Sequence, residues 1–144
     1  MASLSQKVEL HISCRKLKNF DTFSKSDPQV RLFEFASNNK WVQIGQTETI
    51  KNNLNPNFEK VIVVTYNFEK HQKIKFEVVD DDGGNDFDFI GRLETSMGNI
   101  MGAKEQVTDA QLTNDKKATN LGRIIVRAEA LASSNVEVTY QLSG

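Results

Sequence analysis

A chain of 144 residues, 38% hydrophobic and 26% charged, is long enough for one domain with its own core and leaves no comfortable room for a second. A net charge of −1 on an otherwise ordinary composition excludes intrinsic disorder and argues against general nucleic-acid binding. Apart from Asp21, Asp27, Asp80, Asp81, Asp82, Asp86 and Asp88, the chain holds 18 basic and 12 acidic residues, which describes a basic body with an acidic pole.

Cys14 is the only cysteine, so no intrachain disulfide is available and a cytoplasmic or other reducing compartment is expected. The start Met-Ala-Ser-Leu-Ser-Gln-Lys has no apolar signal core, and Ala2 stands where myristoylation needs glycine. The longest aliphatic run, Val61 to Val64, is far too short to span a bilayer. Membrane contact is therefore expected to be peripheral.

Val8 to Cys14 alternates apolar and polar residues, the period of a half-buried strand with Val8, Leu10, Ile12 and Cys14 inward. His11 then faces solvent, and with no second histidine at ligand spacing it reads as a surface residue. A polar loop, Asn19 to Pro28, carries Asp21 and Asp27; strands are expected at Gln29 to Phe35 and Trp41 to Ile50. The Asn-rich turn 52–57 contains Pro56, which cannot donate to a ladder. Phe58 to Tyr66 and Lys73 to Val78 predict two further strands, and Phe89 to Thr95 another. Met97 to Met101 suits a helical turn, and Gln106 to Leu112 an irregular extended piece. Gly122 to Ala130 and Val136 to Leu142 complete a count of eight strands. The expected fold is all-β, an eight-stranded antiparallel β-sandwich formed by residues 1–144 as a single domain with an ordered core of about 7–143.

Between the fifth and sixth expected strands, Asp80-Asp81-Asp82-Gly83-Gly84-Asn85-Asp86-Phe87-Asp88 holds five aspartates in nine positions, with no basic residue between Lys75 and Arg92. Oxygen donors without nitrogen or sulfur neighbours favour Ca²⁺. An Asp- and Gly-rich solvated turn has the same composition, and on this loop alone both readings stand. Asp80 and Asp82 project to one side of an extended strand end, while Gly83 and Gly84 allow the turn that returns Asp88. Because Ca²⁺ takes six to eight oxygens, carboxylates from two loops at one end of a sandwich make a better cup than one loop. An EF-hand does not fit: its glycine position, closing Glu and flanking helices are all missing.

The chain resembles a C2 domain. The likeness rests on Asp21 followed by Ser26-Asp27-Pro28, on Leu54-Asn55-Pro56-Asn57-Phe58, and on Asp80-x-Asp82 with Asp88-Phe89-Ile90-Gly91. It implies that Asp21, Asp27, Asp80, Asp82 and Asp88 bind two or three Ca²⁺ ions, with the carbonyls of Phe20 and Asp81 and the side chain of Asn85 as further ligands. Asp81 and Asp86 side chains do not match ligand positions and are expected to point outward. Within the family it looks most like the first C2 domain of copines, through Trp41 with Gln46-Thr47-Glu48, Asn67-Phe68-Glu69, Phe76-Glu77-Val78 and Met97-Gly98-x-Ile100. One strand before the first acidic loop and a last strand after Ala130 resemble the circularly permuted type II topology. A copine continues into a second C2 domain and a von Willebrand A-like domain, so the resemblance implies an isolated domain or a stand-alone relative.

The implied function is calcium-dependent binding to anionic phospholipid membranes, with Phe23 and Phe87 at the loop tips as membrane contacts or as packing between loops. A calcium-regulated protein-interaction domain with a protein partner is the alternative. Neither nucleic-acid binding nor catalysis is expected, since no nucleophile-base set, P-loop or Cys/His metal set is recognisable. Lys40 and Lys51, with Glu48 between them, make no lysine cluster for phosphoinositides.

Overall fold

The computed structural model describes residues 5–19 and 25–131. Eight strands are present among them: β1 (Ser5–Arg15), β2 (Pro28–Phe35), β3 (Trp41–Gln46), β4 (Ile62–Asn67), β5 (Lys73–Asp81), β6 (Phe87–Ser96), β7 (Val107–Gln111) and β8 (Arg123–Ala130). They form two four-stranded antiparallel sheets, ordered β4-β1-β8-β7 and β3-β2-β5-β6. Alternation decides which face each strand buries. Val8, Leu10, Ile12 and Cys14 of β1 meet Ile74, Phe76 and Val78 of β5 across the sandwich in one continuous core. Each such aliphatic or aromatic side chain contributes about 1.5–3 kcal/mol by leaving water.

The expected sandwich is the observed fold, but the eight strands are not the eight read from the sequence. The segment expected as an irregular piece is β7, paired to β8 along its whole length. Its inward positions are Thr108 and Ala110, only half-buried, so it lacks the apolar alternation that marks a strand. The strand expected at 136–142 lies outside the described residues. Among the described residues β8 lies between β1 and β7 in its sheet.

Two expected strands are also shorter than their sequences promised. β3 stops at Gln46, where the Thr47 hydroxyl takes the Val30 amide (2.9 Å) in place of a backbone carbonyl, although the Thr47 amide still donates to the Val30 carbonyl (2.8 Å). β4 starts at Ile62, while Phe58 is buried from a loop whose amide bonds the Ile12 carbonyl (3.1 Å).

The helical turn is α1 (Met97–Gly102), capped by Ser96, whose hydroxyl accepts from the Asn99 amide at 3.1 Å. It closes one end of the core with Met97 and Ile100, both fully buried.

One irregularity positions the acidic hairpin. Along most of the β5–β6 ladder the register is that of Val78 opposite Gly91, but the next pair is Val79 opposite Phe89. Ile90 is thus an extra residue, a β-bulge. Continued without it, the register would set Asp80 against Phe89; with it, Asp80 faces Asp88.

Candidate metal centre

Three of the predicted ligands converge. Carboxylate oxygens of Asp80, Asp82 and Asp88 lie within 4.8 Å of one another. Asp80 is buried at the end of β5, whereas Asp82 and Asp88 are exposed. The hairpin between them is tight: the Asp82 amide donates to the Asp86 carbonyl and the Asp86 amide to the Gly83 carbonyl, both at 3.1 Å. Gly83 has φ +93°, a conformation in which a Cβ is strained, so the turn needs glycine there.

Asp27 joins this group through its backbone. Its amide donates to Asp80 Oδ1 (2.8 Å), and its carbonyl accepts from the Asp81 amide (2.9 Å). One oxygen of its own carboxylate, Oδ1, accepts from the Asn52 amide at 2.7 Å. Asp21 and Phe20, and the tip residue Phe23, lie outside the described residues. Asn85 sits exposed in the hairpin turn.

The Asp81 side chain is engaged away from the cluster. Its Oδ2 accepts from the Thr49 hydroxyl (2.7 Å) and its Oδ1 from the Gly83 amide (3.0 Å). These two bonds, Thr49 first, hold its pKa below the ordinary carboxylate value, helped by Arg31 and Lys51. Asp86 is exposed and outside the cluster of three.

A third segment braces the site, and sequence reasoning missed it. Thr49 fixes Asp81, Asn52 fixes Asp27, the Asn52 side chain accepts from the Lys25 amide (2.7 Å), and the Ile50 and Asn53 amides donate to Pro28 and Ser26 carbonyls (3.0 Å each). The Asn52-Asn53 pair was a signal only of a turn; what it fastens depends on the fold.

The outer face of β3-β2-β5-β6 collects four cations that no single stretch of sequence displays. Arg31, Lys73, Lys75 and Arg92 stand among aromatic rings: Lys75 Nζ is 4.6 Å from the Trp41 ring centre, Arg31 lies over Phe87 (4.5 Å) and Arg92 over Phe89 (4.7 Å). Acidic groups offset them, with Lys75 on Glu77 (3.2 Å) and Arg92 on Asp115 (2.8 Å). Phe87, a predicted tip residue, is 46% exposed and has Arg31 against its ring.

The donor set is hard oxygen from three carboxylates, with spacing that one ion at about 2.3–2.6 Å from each can bridge, so the residues present fit Ca²⁺. Residues 6–114 match the family model described as "C2 domain".

The chain belongs to the C2 domain family.

C2 domains typically bind calcium and phospholipid. This one is 40% identical over 144 residues to Copine-E of Dictyostelium discoideum, an alignment covering 96% of this chain and 24% of that protein. The chain thus spans about a quarter of the length of the curated relative. In three dimensions it resembles the C2A domain of plant Extended Synaptotagmin 1 with a TM-score of 0.67 at 15% identity, covering 91% of this chain and 98% of that one. It also resembles calcium-bound Extended-Synaptotagmin 2, C2A and C2B domains, with a TM-score of 0.63 at 24% identity, over 90% and 47% of the two chains. At these identities the structural likeness shows the fold alone. Among the described residues no helix is long and apolar enough to cross a membrane.

Proposed function

We propose that this C2 domain is a calcium-dependent module that docks peripherally on anionic phospholipid, and that it acts by binding and not by catalysis. The observation that carries the reading is the convergence of Asp80, Asp82 and Asp88 at one end of the sandwich. Asp80, Asp82 and Asp88 would hold the ion, with Asp27 and, from the sequence pattern, Asp21 completing the cup. Bound Ca²⁺ supplies positive charge and coordination positions that lipid phosphate or carboxylate oxygens can fill.

The protein's own part is preorganisation. Thr49 and Gly83 hold the Asp81 carboxylate out of the cluster, Asn52 braces Asp27, and the bulge at Ile90 sets Asp88 opposite Asp80. Without cation the acidic pole opposes an anionic leaflet; neutralising it removes that barrier. The all-oxygen donor set of the three carboxylates supports calcium as the ion.

Sedimentation with phosphatidylserine vesicles tests this. Pelleting is expected with calcium and not with a chelator, and is expected to disappear in the Asp82→Asn/Asp88→Asn double variant. Pelleting that ignores calcium, or none in either condition, would transfer the weight to a protein-interaction domain.

A further inference from the structure

On the outer face of the other sheet, β4-β1-β8-β7, a second cluster stands apart from the acidic hairpin. Glu9 of β1 and Glu129 of β8 are direct cross-strand partners, and His11 lies two residues along β1 on the same face. Like charges directly opposite in an antiparallel pair destabilise it, so this placement calls for a cation between them. His11 Nε2 is 3.5 Å from Glu9 Oε1 and 3.4 Å from Glu129 Oε1. That nitrogen is shielded from solvent and has no hydrogen-bond partner, although the ring as a whole is partly exposed. All three ligand atoms lie within 4.8 Å of one another.

Separation and chemistry identify the class of ion. Ligands about 2.0–2.1 Å from a tetrahedral Zn²⁺ stand about 3.3–3.4 Å apart, which is close to both His–Glu separations. An imidazole nitrogen beside two carboxylates suits zinc-class ions and not Ca²⁺. We propose that Glu9, His11 and Glu129 bind a divalent transition-metal ion of the zinc class, independently of the acidic hairpin. Solvent reaches the site past Glu129, which is 54% exposed, and would complete the coordination.

Two other cations face the cluster. Arg127, the cross-strand partner of His11, approaches Glu129 Oε1 at 3.4 Å and is itself half exposed, so it can yield that oxygen or remain as an outer partner. Lys7, further along the same face of β1, is engaged by Thr65 at 2.9 Å. A hydrogen bond or ion pair from the Nε2–H to either carboxylate uses the same three groups, whereas a metal ion takes the lone pair of that nitrogen; direct titration with the metal separates the two.

Calorimetric titration of the full chain with ZnCl₂ at neutral pH tests the proposal, using the Asp82→Asn/Asp88→Asn background to silence the hairpin. One Zn²⁺ per chain is expected in that background, with affinity about tenfold weaker or worse in His11→Gln, Glu9→Gln and Glu129→Gln. Circular dichroism of each variant confirms that the sandwich is intact before titration. Absence of zinc binding by the wild type, its loss in the hairpin background, or unchanged affinity in His11→Gln would each overturn the site.

Discussion

The backbone amide of Asp27 donates to Oδ1 of the buried Asp80 carboxylate at 2.8 Å, which fastens the loop after β1 to the strand that enters the acidic hairpin. Asp80 is thus part of the scaffold as well as of the cluster. Asp80→Ala is expected to destabilise the calcium-free protein by about 1–3 kcal/mol, because it leaves the Asp27 amide without its acceptor. Exposed Asp86→Ala should stay within about 0.5 kcal/mol. Urea midpoints in the presence of chelator measure both, and equal losses would remove the structural role given to Asp80.

Calcium bound only by the folded state must raise the melting temperature. At a hundredfold excess over Kd the gain is about 2.7 kcal/mol, or about 10 °C for a domain of this size. The shift should vanish in Asp82→Asn/Asp88→Asn and persist in Asp86→Asn. Differential scanning fluorimetry with calcium and with chelator reads it directly.

Asp81 should contribute to stability in a pH-dependent way. Its bonds from Thr49 and Gly83 lower the folded-state pKa relative to the unfolded chain. The contribution is therefore present above about pH 4 and is lost as the pH falls through the depressed folded value. The difference in urea midpoint between wild type and Asp81→Asn should shrink as the pH is lowered across this range. A difference independent of pH would mean that the charge of Asp81 does not matter.

Gly122 is expected to be intolerant of a side chain. It has φ +111°, and a Cβ there would lie 2.8 Å from the Lys16 carbonyl oxygen and 2.9 Å from that of Arg15. Both neighbours are backbone and have little room to give. Gly122→Ala should cost about 2–4 kcal/mol in urea unfolding, combining backbone strain with the clash.

Cys14 should resist modification while the protein is folded. Burial pushes its thiol up to about 12, with Arg15 opposing weakly. Thiolate is then scarce at neutral pH, and Ellman's reagent should react only as the domain unfolds. Stoichiometric labelling of the native protein would contradict its placement in the core.

The sandwich was legible because its long strands carry local pattern: Val8-Leu10-Ile12-Cys14 and Ile74-Phe76-Val78 alternate whatever else the chain does. β7 was not, since Thr108 and Ala110 are held by pairing with β8 and not by apolar period. The four cations Arg31, Lys73, Lys75 and Arg92 were also missed, because a search within one stretch, Lys40 to Lys51, cannot see residues gathered from three strands.

By itself the sequence determined the apolar faces and the composition of the acidic hairpin, since both are properties of neighbours along the chain. Tertiary structure decided which acids share a site. A one-residue bulge at Ile90, set by pairing between β5 and β6, brings Asp88 opposite Asp80, and Thr49 draws Asp81 away. The same is true of Glu9, His11 and Glu129: the distance between β1 and β8 in sequence hides a contact that the cross-strand register creates. Local pattern fixes which way a side chain faces; only register fixes what it meets.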